Sequence, residues 1–155
     1  MNKEELMRLT IRLACDNVQN GGGPFAAVIT KDNTVVSTGV NRVTRDNDPT
    51  AHAEINAIRQ ACKHLGTFNL SGCEIYSSCE PCPMCLGAIY WAHIDKVYYG
   101  CDKNNAAAAG FDDSFIYHEF SLPSEHRTKA MRQLLPQEAL AAFCLWKDAP
   151  DKQPY

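Results

Sequence analysis

Charge of one sign is what this sequence most lacks. Fifteen Lys and Arg stand against eighteen Asp and Glu, a net of -3. Nothing in that balance draws the chain to a polyanion. Positive charge is not gathered into an arm either: from Lys103 onward six basic residues face seven acidic ones. No nucleic-acid partner is expected on this ground. Long apolar runs are also missing, and none approaches the roughly 20 residues that span a bilayer, so no membrane partner is expected. No apolar segment follows Met1-Asn2-Lys3-Glu4-Glu5, so no secretory signal is read there. Internal repeats, linkers and low-complexity stretches are absent as well. With 45% hydrophobic and 21% charged residues, the expectation is one domain over residues 1–155.

Eight cysteines might suggest a disulfide scaffold. Cys15, Cys62 and Cys144, however, sit in apolar helical patterns, where free thiols act as small hydrophobes. The expected compartment is the reducing cytoplasm.

Asn2 and Glu5 resemble a capping box, and Leu6, Leu9, Leu13, Ala14 and Val18 recur at helical spacing, predicting a helix to about residue 19. Asn20-Gly21-Gly22-Gly23-Pro24 breaks it. That glycine run lacks the lysine and helix of a phosphate loop, and the plainer reading is a tight connection to the strand Phe25–Thr30. Lys31–Thr34 turns into a second strand, Val35–Val40, closed by Asn41. Thr50 is the expected N-cap of a helix ending at Gly66, Cys73–Ser77 a short strand, and Pro83 the first residue of a further helix. Lys96–Gly100 alternates as a strand. This order argues for an α/β sheet covered by helices. Beyond Cys101 the pattern predicts a short alanine-rich helix at 104–109 and a loop or lid at 110–117. Terminal helices are expected at 124–135 and 136–146.

Against this background one pair of stretches stands out: Pro49-Thr50-Ala51-His52-Ala53-Glu54, and Glu80-Pro81-Cys82-Pro83-Met84-Cys85. Alone, a Cys-x-x-Cys is a redox pair, half a structural zinc site, or coincidence. A redox pair belongs after a first strand, and this one follows a third. A structural zinc site needs four protein ligands, and no second Cys-x-x-Cys or His-x-His completes one. Cys79 is the nearest fourth candidate, kept apart by the rigid Pro81. Three ligands, His52, Cys82 and Cys85, leave a tetrahedral position open, as catalytic zinc requires. Both half-motifs start helices, whose positive ends favour thiolate. His-x-Glu with Pro-Cys-x-x-Cys is recognised, rather than deduced, as the signature of zinc nucleobase deaminases. In that chemistry zinc activates water, and Glu54, near the metal but not bound to it, moves the proton.

The chain resembles the cytidine-deaminase-like superfamily through Thr50–Glu54 and Cys79–Cys85. It is similar in particular to the bacterial guanine deaminase branch through Cys85-Leu86-Gly87-Ala88-Ile89-Tyr90-Trp91-Ala92, Ala109–Tyr117 and a terminal tyrosine. The resemblance implies a three-layered α/β/α fold with a five-stranded mixed sheet and one zinc per subunit. It also implies a homodimer whose C-terminal segments are exchanged and help close the partner's site. Carried onto this sequence, it makes His52, Cys82 and Cys85 zinc ligands and Glu54 the proton shuttle. Asn41 would hydrogen-bond a purine and Phe25 would pack on its ring. Asp113 would meet the amino group and share in proton transfer, with Trp91 and Tyr155 lining the pocket. The implied reaction is hydrolysis of guanine, a small purine base, to xanthine and ammonia. The rivals are a tRNA-adenosine deaminase, disfavoured by the acidic balance, and a cytosine or riboflavin-pathway deaminase, disfavoured by Phe111-Asp112-Asp113-Ser114. A non-catalytic zinc-binding module is a third, opposed by the presence of Glu54.

Overall fold

The computed structural model describes residues 1–155. By its internal contacts the chain divides into Met1–Asp113 and Ser114–Tyr155. The first unit opens with α1 (Lys3–Gln19), started by the expected capping box: Asn2 Oδ1 accepts from the Glu5 amide at 2.9 Å and Glu5 accepts from the Asn2 amide at 2.8 Å. Next come β1 (Ala26–Lys31), β2 (Thr34–Val40), a short α2 (Val43–Asp46) that the periodicity did not predict, and α3 (Ala53–Leu65). β3 (Cys73–Cys79), α4 (Pro83–Trp91), β4 (Lys96–Cys101) and α5 (Lys103–Ala108) complete it.

The sheet runs β2-β1-β3-β4, with β1 antiparallel to both β2 and β3, and β4 parallel to β3. It is mixed, as expected, but has four strands and not five. After Cys101 no stretch alternates: Asp102 caps α5 with its own capping box, and the alanines that follow favour helix. Side chains on successive strand positions point to opposite faces. Val28 and Tyr76 therefore pack on Leu6 of α1, while Ala27, Ile29, Cys73 and Ile75 pack on Ala53, Ala57 and Ala61 of α3 and Ile89 of α4. The result is three layers: one helix, the sheet, and a helix pair.

The alanine face of α3 lies unusually close to β2. A Cβ on Gly39 would stand 2.3 Å from the Ala53 carbonyl oxygen and 2.5 Å from the Ala57 nitrogen. Only glycine admits that approach. Ser37 Oγ (donating to the Ala57 carbonyl, 2.8 Å) and Asn56 Nδ2 (donating to the Val40 carbonyl, 2.8 Å) fasten the two elements. Gly66 ends α3 in the left-handed conformation, φ 65°, as expected of a glycine cap.

The second unit holds α6 (Ser114–Ser121), a 3-10 turn at Ser124–His126 and α7 (Pro136–Asp148). The helix expected at 124–135 is reduced to that turn. Arg127 instead donates to the Glu119 and Leu122 carbonyls, and Thr128 to the Glu119 carboxylate. No residue of α7 is buried, and Leu140, Phe143, Leu145 and Trp146 are exposed. Cys144 is likewise exposed, as is Cys15 on α1, so of the three thiols expected in apolar surroundings only Cys62 is partly covered. No helix is long and apolar enough to cross a membrane.

Candidate metal centre

Two helix starts build the centre. The N-cap of α3 is His52, not the expected Thr50, whose amide and hydroxyl are taken by Asp48 Oδ1 at 2.8 and 2.6 Å. The N-cap of α4 is Cys82, with Pro83 at the first helical position. Neither N-cap side chain makes the usual capping bond to its own helix. Each turns to the other: His52 Nδ1 lies 3.5 Å from Cys82 Sγ and 3.5 Å from Cys85 Sγ. All three donor atoms fall within 4.8 Å of one another.

These distances fit zinc. With Zn–S near 2.3 Å and Zn–N near 2.05 Å, the nitrogen-to-sulfur edge of a tetrahedron is about 3.5 Å. The charges fit as well. The Cys82 thiol is pushed down to about 4, chiefly because Cys85 donates to its thiolate and His52 does too, against the cost of burial. Sharing that proton pushes the Cys85 thiol up, with burial and the Glu54 charge adding. The same Cys82 sulfur raises His52. A half-buried thiolate held between two donors is a place where a cation can replace their protons.

Glu54, in the first turn of α3, is 5% exposed, and its Oε1 accepts from Ser77 Oγ at 2.7 Å. It lines a cavity of about 540 Å³ together with His52, Cys82, Phe25, Asn41 and Asp113. That volume is in the range of small-molecule sites. Phe25 meets Phe111 edge-on, centroids 5.0 Å apart. Asn41 Oδ1 accepts from the Val43 amide at 3.2 Å, while its carbonyl, with that of Gly23, is held by Asn17 Nδ2. Residues 110–113 line the cavity, whereas 114–117 begin α6. Asp113 is half-buried; desolvation raises its carboxyl, the charges of Cys82 and Asp112 add, and Lys103 opposes.

Trp91, at the end of α4, is exposed and does not line the cavity. Tyr155 lies in the second unit and is also exposed. Sequence reasoning missed Ser77, because a serine in a strand carries no local sign of its partner. It also missed Asn17, hidden in the helical pattern of α1. Cys79, weighed as a fourth ligand, lines the cavity but is not part of the donor cluster; burial pushes its thiol up to about 11.

Residues 1–101 match the family model of the cytidine and deoxycytidylate deaminase zinc-binding region. Over its whole length the chain is 51% identical to the guanine deaminase of Bacillus subtilis (strain 168), covering 100% of each. The X-ray structure of guanine deaminase from that organism superposes with a TM-score of 0.97, covering 100% of this chain and 99% of the other. A guanine deaminase structure from Nitrosomonas europaea matches 72% of this chain and 65% of its own at 33% identity and TM-score 0.70. The tRNA-specific adenosine deaminase of Aquifex aeolicus (strain VF5) is 40% identical, but over 68% of this chain and 70% of its own.

Proposed function

The chain belongs to the cytidine and deoxycytidylate deaminase family, and we propose that its reaction is the zinc-dependent hydrolysis of guanine to xanthine and ammonia. The observation that carries the substrate is identity of 51% along the entire chain, including the segment after residue 101, to a guanine deaminase. The tRNA-specific relatives are more distant, one at 40% identity over 68% of the chain and another at 33% over 92%. A net charge of -3 also offers a tRNA little attraction.

His52, Cys82 and Cys85 would hold one zinc, which supplies a Lewis acid that makes water nucleophilic near neutral pH. Glu54 would carry two protons in turn, one from the water to a ring nitrogen as the water oxygen bonds to the carbon, and a second from the new hydroxyl to the amine that leaves as ammonia. Asp113 accepts from the N1–H and 2-amino donors of guanine, an adjacent pair that suits a carboxylate. The Oδ1 of Asn41 is committed to the Val43 amide, so its Nδ2 is left to donate to an acceptor on the base. Phe25 provides a face for the ring, braced by Phe111.

The site is completed in a homodimer, whose partner supplies the cover that the C-terminal segment requires. Exposed Phe115, Phe120, Phe143, Leu145 and Trp146 support this, since an apolar set of that size is stable in water only when paired. Exchange of residues 114–155 between subunits would bring Tyr155 to the partner's cavity. The working location is the cytoplasm, which eight free thiols suit. Ammonia release by the zinc-loaded protein tests the substrate. Guanine should be turned over much faster than cytosine, adenine or a tRNA anticodon stem, and equal activity on another base would overturn the assignment.

A further inference from the structure

Along β3 the side chains on the α3 side of the sheet are Cys73, Ile75, Ser77 and Cys79, all buried. The row calls for an apolar residue at 77, where a hydroxyl stands instead, 1% exposed and opposite Ala27 of β1. A residue that breaks the local pattern needs a reason. The buried hydroxyls of Thr10 and Ser37 donate to backbone carbonyls, of Leu6 and Ala57, and that of Tyr76 to Glu74 two residues away. Ser77 donates to a side-chain carboxylate, Glu54 Oε1, at 2.7 Å, across 23 residues of sequence.

We propose that Ser77 is a positioning residue that fixes the orientation of the Glu54 carboxylate for proton transfer. This rests on the reading of Glu54 as the proton shuttle. The terminal torsion of a glutamate is broad and two-fold, so an unrestrained carboxylate exchanges its oxygens. A hydroxyl has one proton, and here it engages Oε1. That bond holds Oε1 on the side of the sheet and leaves the proton exchange with water and base to Oε2. Anchoring comes from the sheet, where Ser77 is paired with Ala27 of β1. It does not come from α3, which already carries both Glu54 and the ligand His52. Without the Ser77 hydroxyl, Oε1 would be buried beside a hydroxyl-sized gap with nothing from the sheet to hold it.

The test compares full-length, zinc-loaded wild type with Ser77→Ala and Ser77→Thr. Ser77→Ala should lower kcat about 10- to 100-fold, the usual cost of losing a partner that orients a functional group. KM and zinc content should stay near the wild-type values. The solvent deuterium isotope effect on kcat should rise, because misplacing the carboxylate slows the proton transfer. Ser77→Thr, which keeps the hydroxyl, should restore most of kcat. An unchanged kcat in Ser77→Ala overturns the proposal, as does a loss that follows zinc content or leaves the isotope effect unmoved. If Ser77→Thr does not fold, the isotope effect of Ser77→Ala decides alone. Wild-type activity on guanine tests the proposed reaction. The ratio of variant to wild type, on whichever base the wild type turns over, tests Ser77. The two can therefore fail separately.

Discussion

Replacing Gly39 with alanine should damage the site without touching it. The new Cβ would lie 2.3 Å from the Ala53 oxygen, 2.5 Å from the Ala57 nitrogen and 3.1 Å from the Ala57 Cα. Ordinary carbon-to-oxygen contacts begin near 3.3 Å, so the overlap is about 1 Å. Both obstructing groups are backbone, and no rotamer relieves them. The N-terminal half of α3 must therefore retreat from β2 by about that distance. Overpacking of this kind costs about 1–3 kcal/mol, and rigid obstruction favours the upper end. For a chain of this length each kcal/mol is about 2–4 °C, so the melting temperature should fall by roughly 4–12 °C. His52 and Glu54 ride on the displaced segment, and a 1 Å misplacement can cost on the order of 100-fold in rate. Scanning calorimetry and ammonia release at saturating guanine measure both effects. Gly66→Ala is the control: at the other end of α3, with φ 65° and nothing near its Cβ, it should lower stability by about 1 kcal/mol and leave kcat alone. A Gly39→Ala protein with wild-type melting temperature and kcat would refute the claim that this approach sets the position of the site.

Glu54→Ala should abolish turnover while one zinc stays bound, measured by metal analysis; loss of the metal as well would make Glu54 structural. Asp113→Ala should slow guanine turnover with circular dichroism unchanged, and a fully active variant would remove Asp113 from the mechanism. Burial pushes the Tyr76 hydroxyl from 10.0 up to about 12, with Glu74 contributing. A raised folded value means that stability is whole below pH 10 and is lost as pH climbs toward 12, because the unfolded chain ionises first. Tyr76→Phe should flatten the alkaline fall in melting temperature over that window. A difference between the two proteins that stays constant from pH 9 to 12 would contradict this.

Features set by neighbours in sequence could be read without coordinates. The capping box of Asn2 and Glu5 and the glycine stop of α3 each depend on contacts within a few residues. The spacing of His52, Glu54, Cys82 and Cys85 likewise named the donor set, because metal chemistry restricts both residue type and number. What spacing could not reveal was which side chain caps which helix. Thr50 looked the better N-cap and lost to His52, because Asp48 competes for its hydroxyl and the thiols of another helix hold the imidazole. The fifth strand came from the resemblance alone; the residues after Cys101 read as a helix, and Asp102 starts one there.

By itself, then, the sequence determined the chemistry available: one imidazole, two thiols and a carboxylate at helix starts. Tertiary structure decided where that chemistry is usable. Residues 30 apart come within 3.5 Å because Gly39 lets α3 press against the sheet beside α4. Glu54 is held by a serine from a third element. Distances between elements distant in sequence depend on which backbones can touch, and no local pattern of residues encodes that.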